Sequence, residues 1–267
     1  MPTNYLEPEL EPMEEFQWEL GGFRWGDAVD PDTGLCTTKT GDEGLDDVSE
    51  LLAEDTPLNG DGSVAAFGRL APRAITLRVG FTGTNEELAA MLDALRAVIS
   101  PLPNRRATRW LRWQRIGEPA KRIAVQPAVG KPLTVPGDEA RLVYGTAKEI
   151  QIRLTAPDPV ILSDVRHDET FTAGSTITCV NAGTFTALHP CAWSATFASA
   201  VTIENLDYGE GVSFSTGATV DRDRSLTAGI CSRPDGRLLP RWPLLRPGDN
   251  DIRITGGSAT FSWRDTW

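Results

Sequence analysis

Pro247-Gly248-Asp249-Asn250, followed by Asp251-Ile252-Arg253-Ile254-Thr255, is a turn running into a strand. Proline and glycine beside two short polar residues favour a corner, and Ile252 and Ile254 then alternate with Arg253 and Thr255 as they do when one face of a strand is buried. Working outward, the same pattern recurs at Thr176–Val180, Trp193–Phe197, Val201–Asn205, Val212–Ser215, Thr219–Asp221 and Ala259–Trp263. Asn181-Ala182-Gly183 and Pro190 mark corners on the far side of this unit. No helical period fits between them. About seven or eight short strands in roughly a hundred residues describe a β-sandwich of jelly-roll or Greek-key type.

The first half reads differently. Its first fifteen residues, rich in Glu and Pro, form an extended arm. Phe16-Gln17-Trp18-Glu19-Leu20, Gly21-Gly22 and Phe23-Arg24-Trp25 predict a hairpin, and Gly26 to Gly62 predicts a long irregular acidic segment with a short helical turn at Asp46–Ala53. Ala74–Phe81 alternates as a strand. Thr84-Asn85-Glu86-Glu87 is a capping box, and Leu88, Met91, Leu92, Leu95, Val98 and Ile99 place one apolar face on the helix that follows, which Pro101 ends. A lone amphipathic helix among strands must lie on a sheet. Ile123–Gln126, Arg141–Tyr144 and Glu149–Leu154 predict further strands, and Pro157-Asp158-Pro159 then stiffens the chain into a spacer. The expected class is mainly β (α+β), with one domain over 1–164 and a second over 165–267.

At 267 residues, with 40% hydrophobic and 24% charged residues, the chain can bury two cores, and its 25 Gly and 19 Pro fit many short elements. No apolar run approaches the roughly 18 residues of a membrane span, and Met-Pro-Thr-Asn-Tyr-Leu-Glu has neither the basic nor the apolar region of a signal peptide, so a cytoplasmic site of synthesis is expected. Cys36, Cys179, Cys191 and Cys231 lack zinc or redox spacing and read as reduced, although Cys179 and Cys191 are near enough in sequence to face each other on neighbouring strands. The net charge of −11 is uneven: residues 1–62 hold 17 Asp/Glu against Arg24 and Lys39, whereas Arg96 to Arg122 carries eight bases against Glu118. Such a separation suits copies meeting head to tail, or is a pair of solvated faces.

Catalysis finds little to work with. His167 and His189 lie in no metal motif, there is no nucleophile elbow or phosphate loop, and Asp221 and Asp223, flanked by Arg222 and Arg224, read as a solvated turn. No catalytic, metal or cofactor site is expected. A sugar contact is conceivable at Trp242 in Pro240-Arg241-Trp242-Pro243, since Trp193 and Trp263 occupy alternating strand positions that read as core. Arg105-Arg106-Ala107-Thr108-Arg109-Trp110-Leu111-Arg112-Trp113-Gln114-Arg115 has the basic and aromatic composition of a nucleic-acid groove, and equally that of a strand with one aromatic face and an arginine margin.

In its order of turns and strands the chain resembles the distal tail protein family of long-tailed phages: Ala156-Pro157-Asp158-Pro159, Asn181-x-Gly183 with Pro190, Ile203-Glu204-Asn205, then Leu245-Arg246-Pro247-Gly248-Asp249-Asn250-Asp251-Ile252. The hairpin, the strand Ala74–Phe81 and the capped helix match that family's ring-forming, β-sandwich-like first domain. The resemblance implies a galectin-like second domain and a hexameric ring at the tail tip. In that ring the homo-oligomer would join the tail tube protein, the C-terminus of the tape-measure protein and the tail-tip hub protein, with receptor-binding proteins as possible further partners. DNA would only pass through the lumen, no membrane would be involved, and the protein would reside in the virion after assembly in the host cytoplasm. The carbohydrate-binding module is the alternative that Trp242 keeps open.

Overall fold

The computed structural model describes residues 11–47, 50–55, 64–99, 109–135, 148–184, 192–221, 224–225, 231–232 and 243–267. The fold is mainly β, with one helix among these residues, and it divides into two compact units, Met13–Pro159 and Val160–Trp267, the latter with Glu11 and Pro12. In the first unit the elements are β1 (Trp18–Leu20), β2 (Phe23–Trp25), β3 (Leu35–Glu43), β4 (Glu50–Asp55), β5 (Val64–Leu70), β6 (Arg73–Phe81), α1 (Asn85–Ile99), β7 (Arg109–Trp113), β8 (Lys121–Pro127), β9 (Leu133–Thr134) and β10 (Lys148–Ala156).

The hairpin forms as expected, with Gly21 at φ 58° and Gly22 at φ 93°, the two positive angles that a tight turn between twisted strands requires. From it grows an antiparallel sheet in the order β2-β1-β7-β8-β10-β6-β3, and β9 pairs with β10. The sheet bends until its edges meet: the Thr37 amide in β3 donates to the Gly26 carbonyl just past β2, at 2.7 Å. Inside lie Leu20, Leu111, Ile123, Leu77, Val79, Ile150 and Ile152, all buried. Trp18 stacks on Trp25 across one strand pair and on Trp113 across the other, with ring centroids 6.4 and 6.0 Å apart.

Helix α1 begins on its capping box. The Glu87 amide donates to Thr84 Oγ1 at 3.2 Å, and Glu87 Oε2 accepts from the Thr84 amide at 2.7 Å, an arrangement that holds the Glu87 carboxyl below its ordinary range. Leu88, Met91, Leu92, Leu95 and Ile99 are buried, while Val98 is half-buried and lies over the β1–β2 turn, where a Cβ on Gly21 would come within 2.4 Å of it.

Two expectations for the acidic segment are corrected. Leu35–Glu43 is a strand and not irregular, and a register shift between Thr37 and Asp42, with Gly41 at φ 54°, breaks the alternation that would have revealed it. In place of a helical turn reaching Ala53, residues from Glu50 to Asp55 form β4, which pairs with β5 as a separate two-stranded sheet. The strand expected at Arg141–Tyr144 lies outside the described residues. At the end of the unit the buried Arg73 donates to the carbonyls of Pro159, at 2.7 Å, and Leu45, so the spacer is gripped as it leaves β10.

The second unit comprises β11 (Leu162–Ser163), β12 (His167–Phe171), β13 (Thr176–Asn181), β14 (Ala192–Phe197), β15 (Val201–Asn205), β16 (Glu210–Phe214), β17 (Ala218–Asp221), β18 (Arg224–Ser225), β19 (Cys231–Ser232), β20 (Gly248–Thr255) and β21 (Ala259–Arg264). Two antiparallel sheets, β12-β21-β14-β17-β18 and β13-β20-β15-β16-β19, enclose one core. Phe171, Trp193, Phe197, Val220, Phe261 and Trp263 come from the first sheet; Cys179, Ile203, Val212, Phe214, Ile252 and Ile254 come from the second. The expected strands all appear. β12, with three exposed polar residues between His167 and Phe171, was not expected. Ile161 and Trp267 exchange amide-to-carbonyl bonds, and the Ser163 amide donates to the Asp265 carbonyl, so β11 lies beside the segment that follows β21.

Gly21 tests the seat of the helix. Gly21→Ala is expected to lower stability by about 1–2 kcal/mol through the positive φ and the collision with Val98. Val98→Ala in that background should recover part of the loss, read as urea midpoints at unchanged slope.

Candidate functional site

The conspicuous construction in the molecule is polar and buried. Residues 243–246 have no strand partner, yet Leu245 is fully buried. Side chains from five strands hold six backbone groups of this strap. Trp193 Nε1 donates to the Pro243 carbonyl at 2.8 Å. Glu210 Oε2 accepts from the Leu244 amide at 3.0 Å, and Asn205 Nδ2 donates to the Leu244 carbonyl at 2.8 Å. Asn181 Nδ2 donates to the Leu245 carbonyl at 3.3 Å. Asn250 takes both groups of Arg246, accepting from its amide at 2.9 Å and donating to its carbonyl at 2.8 Å. An amide side chain suits this work because it offers donor and acceptor at once.

The same residues reach one another. Asn205 Nδ2 donates to Asn250 Oδ1 at 3.2 Å, and Asn181 Oδ1 accepts from the Gly183 amide at 3.0 Å. Gly183 is there for space, since a Cβ would fall 1.9 Å from the Thr266 carbonyl oxygen. At the strap's outer end Arg246 pairs with the buried Glu210 at 3.0 Å and lies 3.6 Å over the Tyr208 ring. Asn181, Gly183, Asn205 and Asn250 are thus the parts of a single clamp.

The arginine-rich stretch is put to structural use in its described part. Arg112 is buried and pairs with Glu19 at 2.8 Å, Glu19 also takes Arg24 at 2.8 Å, and Arg115 holds Asp42 and Asp46 at 3.2 and 2.9 Å. Trp113 is core, and Trp110 lies under Arg122 at 4.3 Å. Among the described residues, part of the acidic stretch (Glu19, Asp42 and Asp46) is therefore paired with part of the basic stretch (Arg112 and Arg115) inside one chain.

Among the described residues no group of three or more His, Cys, Asp or Glu side chains is placed to hold a metal, and no helix is long and apolar enough to cross a membrane. Cys36 and Cys179 are free thiols. His167 bonds Asp265 at 3.3 Å and stacks on Trp263 at 5.1 Å, while Asp265 accepts from the Ala182 amide, so the pair ties strand ends together. Trp193 and Trp263 are buried, as expected for core positions. Trp242, Cys191, His189 and Asp223 lie outside the described residues.

Three consequences are measurable. Asn250→Ala strands both polar groups of Arg246 and should cost about 2–4 kcal/mol. Burial, reinforced by Glu169 and Asp251, pushes the Cys179 thiol up to about 12, so thiol reagents at pH 8 should label it slowly in the native protein and faster in Asn250→Ala. The bond to Asp265 raises His167 above its ordinary value against the opposing effect of burial. Its contribution is in place below about pH 6.5 and lost as pH rises through the higher native value. His167→Gln should therefore cost more at pH 6 than at pH 8, by less than about 1 kcal/mol because the pair is partly exposed.

No family model matches the chain, and no curated protein matches its sequence. Solved structures do. The phage P2 baseplate in its activated conformation with Ca is similar at a TM-score of 0.45 and 10% identity, over 93% of this chain and 97% of that one. The SPP1 Dit (gp 19.1) protein, described as a paradigm of the hub adsorption apparatus in phages infecting Gram-positive bacteria, is similar at a TM-score of 0.59 and 15% identity, over 95% of this chain and all of that one. With a curled first sheet carrying one helix, followed by a two-sheet sandwich, this chain has the fold of the SPP1 Dit protein across almost its entire length.

Proposed function

We propose that this chain is a structural protein of a phage tail: a distal tail component, six copies of which close a ring between the tail tube and the tail-tip hub. The supporting observation is that SPP1 Dit, a hub protein, shares the fold over 95% of this chain and 100% of its own, so the likeness takes in both compact units. The interior agrees with a structural role. Buried polar side chains hold backbone in the clamp on residues 243–246, and Arg112, Glu19 and Arg24 pair with one another across three strands. In this reading DNA passes through the lumen, the C-terminus of the tape-measure protein meets the ring, the sandwich is available for receptor-binding components, and the protein resides at the tail tip after assembly in the host cytoplasm.

Purified protein should give rings in electron micrographs, with a solution mass six times that of the 29.0 kDa chain. Gold-labelled antibody should decorate one end of intact tails, and deletion of the gene should abolish complete tails. Label scattered along the tail or absent from it, with tails forming normally in the deletion, rejects the reading.

A further inference from the structure

We infer that Phe16 and the exposed apolar and acidic residues around it form one half of a head-to-tail junction between two copies of this chain, whose other half is the basic β8–β9 turn at Val129 and Lys131. The inference rests on the ring-forming role proposed above and names the surfaces that make contact.

Phe16 is the one non-glycine residue with positive φ among the described residues, at 62°. The Gln17 amide donates to the Glu14 carbonyl at 3.1 Å, closing a four-residue turn with Phe16 third, where positive φ calls for glycine or asparagine. A bulky aromatic there is disfavoured by the backbone, and the residue is left 40% exposed. Local folding gives no reason for a phenylalanine at this position. Strained residues of this kind cluster at functional sites.

Its surroundings define that partner. Phe16 bonds Gln114 through its amide, which sets it beside the exposed Ile116, and its carbonyl lies against Gly26, which leads to the exposed Asp27 and Val29. Glu14 and Glu15 are exposed as well. The bases nearest this end are engaged, Arg115 with Asp42 and Asp46 and Lys121 with Glu118. The result is an apolar knob rimmed with carboxylates, suited to an apolar surface rimmed with bases.

The same unit carries one, and the strand order puts it at the other end. Phe16 and Ile116 lie beyond the Trp18–Trp113–Lys121 row, at the start of β8. Val129 lies two residues past the far end of β8, a seven-residue strand about 23 Å long. Val129 is fully exposed, and Lys131 and Arg153 beside it are exposed too. Arg153 is fixed there because its amide donates to the Pro132 carbonyl and its carbonyl accepts from Ala128. The acid nearest on β10, Glu149, accepts from Gln151 at 3.3 Å. Unlike surfaces at opposite ends of one unit join copies heterologously, the arrangement that closes into a ring.

The test uses full-length protein and two variants, analysed by sedimentation velocity. Glu14→Lys/Glu15→Lys/Phe16→Gly blocks the first surface, and Lys131→Glu/Arg153→Glu blocks the second. Each alone should remain monomeric while an equimolar mixture forms a one-to-one dimer, because one intact junction survives only between the two variants. Phe16→Gly alone should weaken association by about tenfold or more and raise the melting temperature, since the turn then holds the residue it favours; this separates lost contact from lost folding. If wild type forms rings and both variants do so equally, the junction lies elsewhere and the ring reading stands. If mixing restores nothing, or Phe16→Gly melts lower, the inference is overturned. A wild-type chain that stays monomeric with tube protein present overturns both.

Discussion

Four residues, Pro243 to Arg246, cross the sandwich without a strand to pair with, and their polar backbone is held by side chains. Burying unpaired peptide groups is costly, so a segment carrying the buried Leu245 into the core can exist only where partners are supplied. Those partners are spread over β13, β14, β15, β16 and β20, which belong to both sheets. The strap is therefore tied to both sheets, by Trp193 of one and by four strands of the other. Each asparagine is satisfied only when the strand bearing it is in register, which couples polar satisfaction to packing of the aromatic core.

The first unit solves a different problem with charge. Glu19 stands opposite Arg24 on β2 and opposite Arg112 on β7, and Arg112 stands opposite Arg122 on β8. On the other face of these strands Trp25, Trp18 and Trp113 line up in the next row. One face of the sheet is thus a stack of rings and the other a row of ions, and each keeps its side of the pleat because a slip of one residue would exchange them. Arg115 with Asp42 and Asp46 adds a second pairing of acidic with basic side chains in the same unit.

Much of this was legible in the chain. The hairpin, the capped helix and most sandwich strands follow from short-range rules, two glycines in a turn, Thr84 with Glu87, alternating Ile252 and Ile254, and all stand as read. The β3 strand was hidden because its bulge at Thr37–Asp42 interrupts the period, and β12 because its exposed polar residues carry no apolar signal. The clamp was visible only as a recurring order of Asn, Gly and Pro. What those residues hold lies 64 positions away for Asn181 and 39 for Asn205, a separation that no local pattern encodes. Asn250, by contrast, reaches back only four residues, yet it belongs to a strand that begins at Gly248, so residues that read as a turn serve as strand and clamp together.

One further feature concerns how such a protein can change over time. Ile161 and Trp267 bond to each other, so the two ends of the Val160–Trp267 segment lie side by side. A unit of that shape behaves as a cassette: its strands can be exchanged for those of another sandwich, or a new module can be carried at the same point, without rethreading the fold that precedes it. Arg73, bound to the Pro159 carbonyl, fixes the last residue of the first unit, whatever the sandwich beyond it becomes.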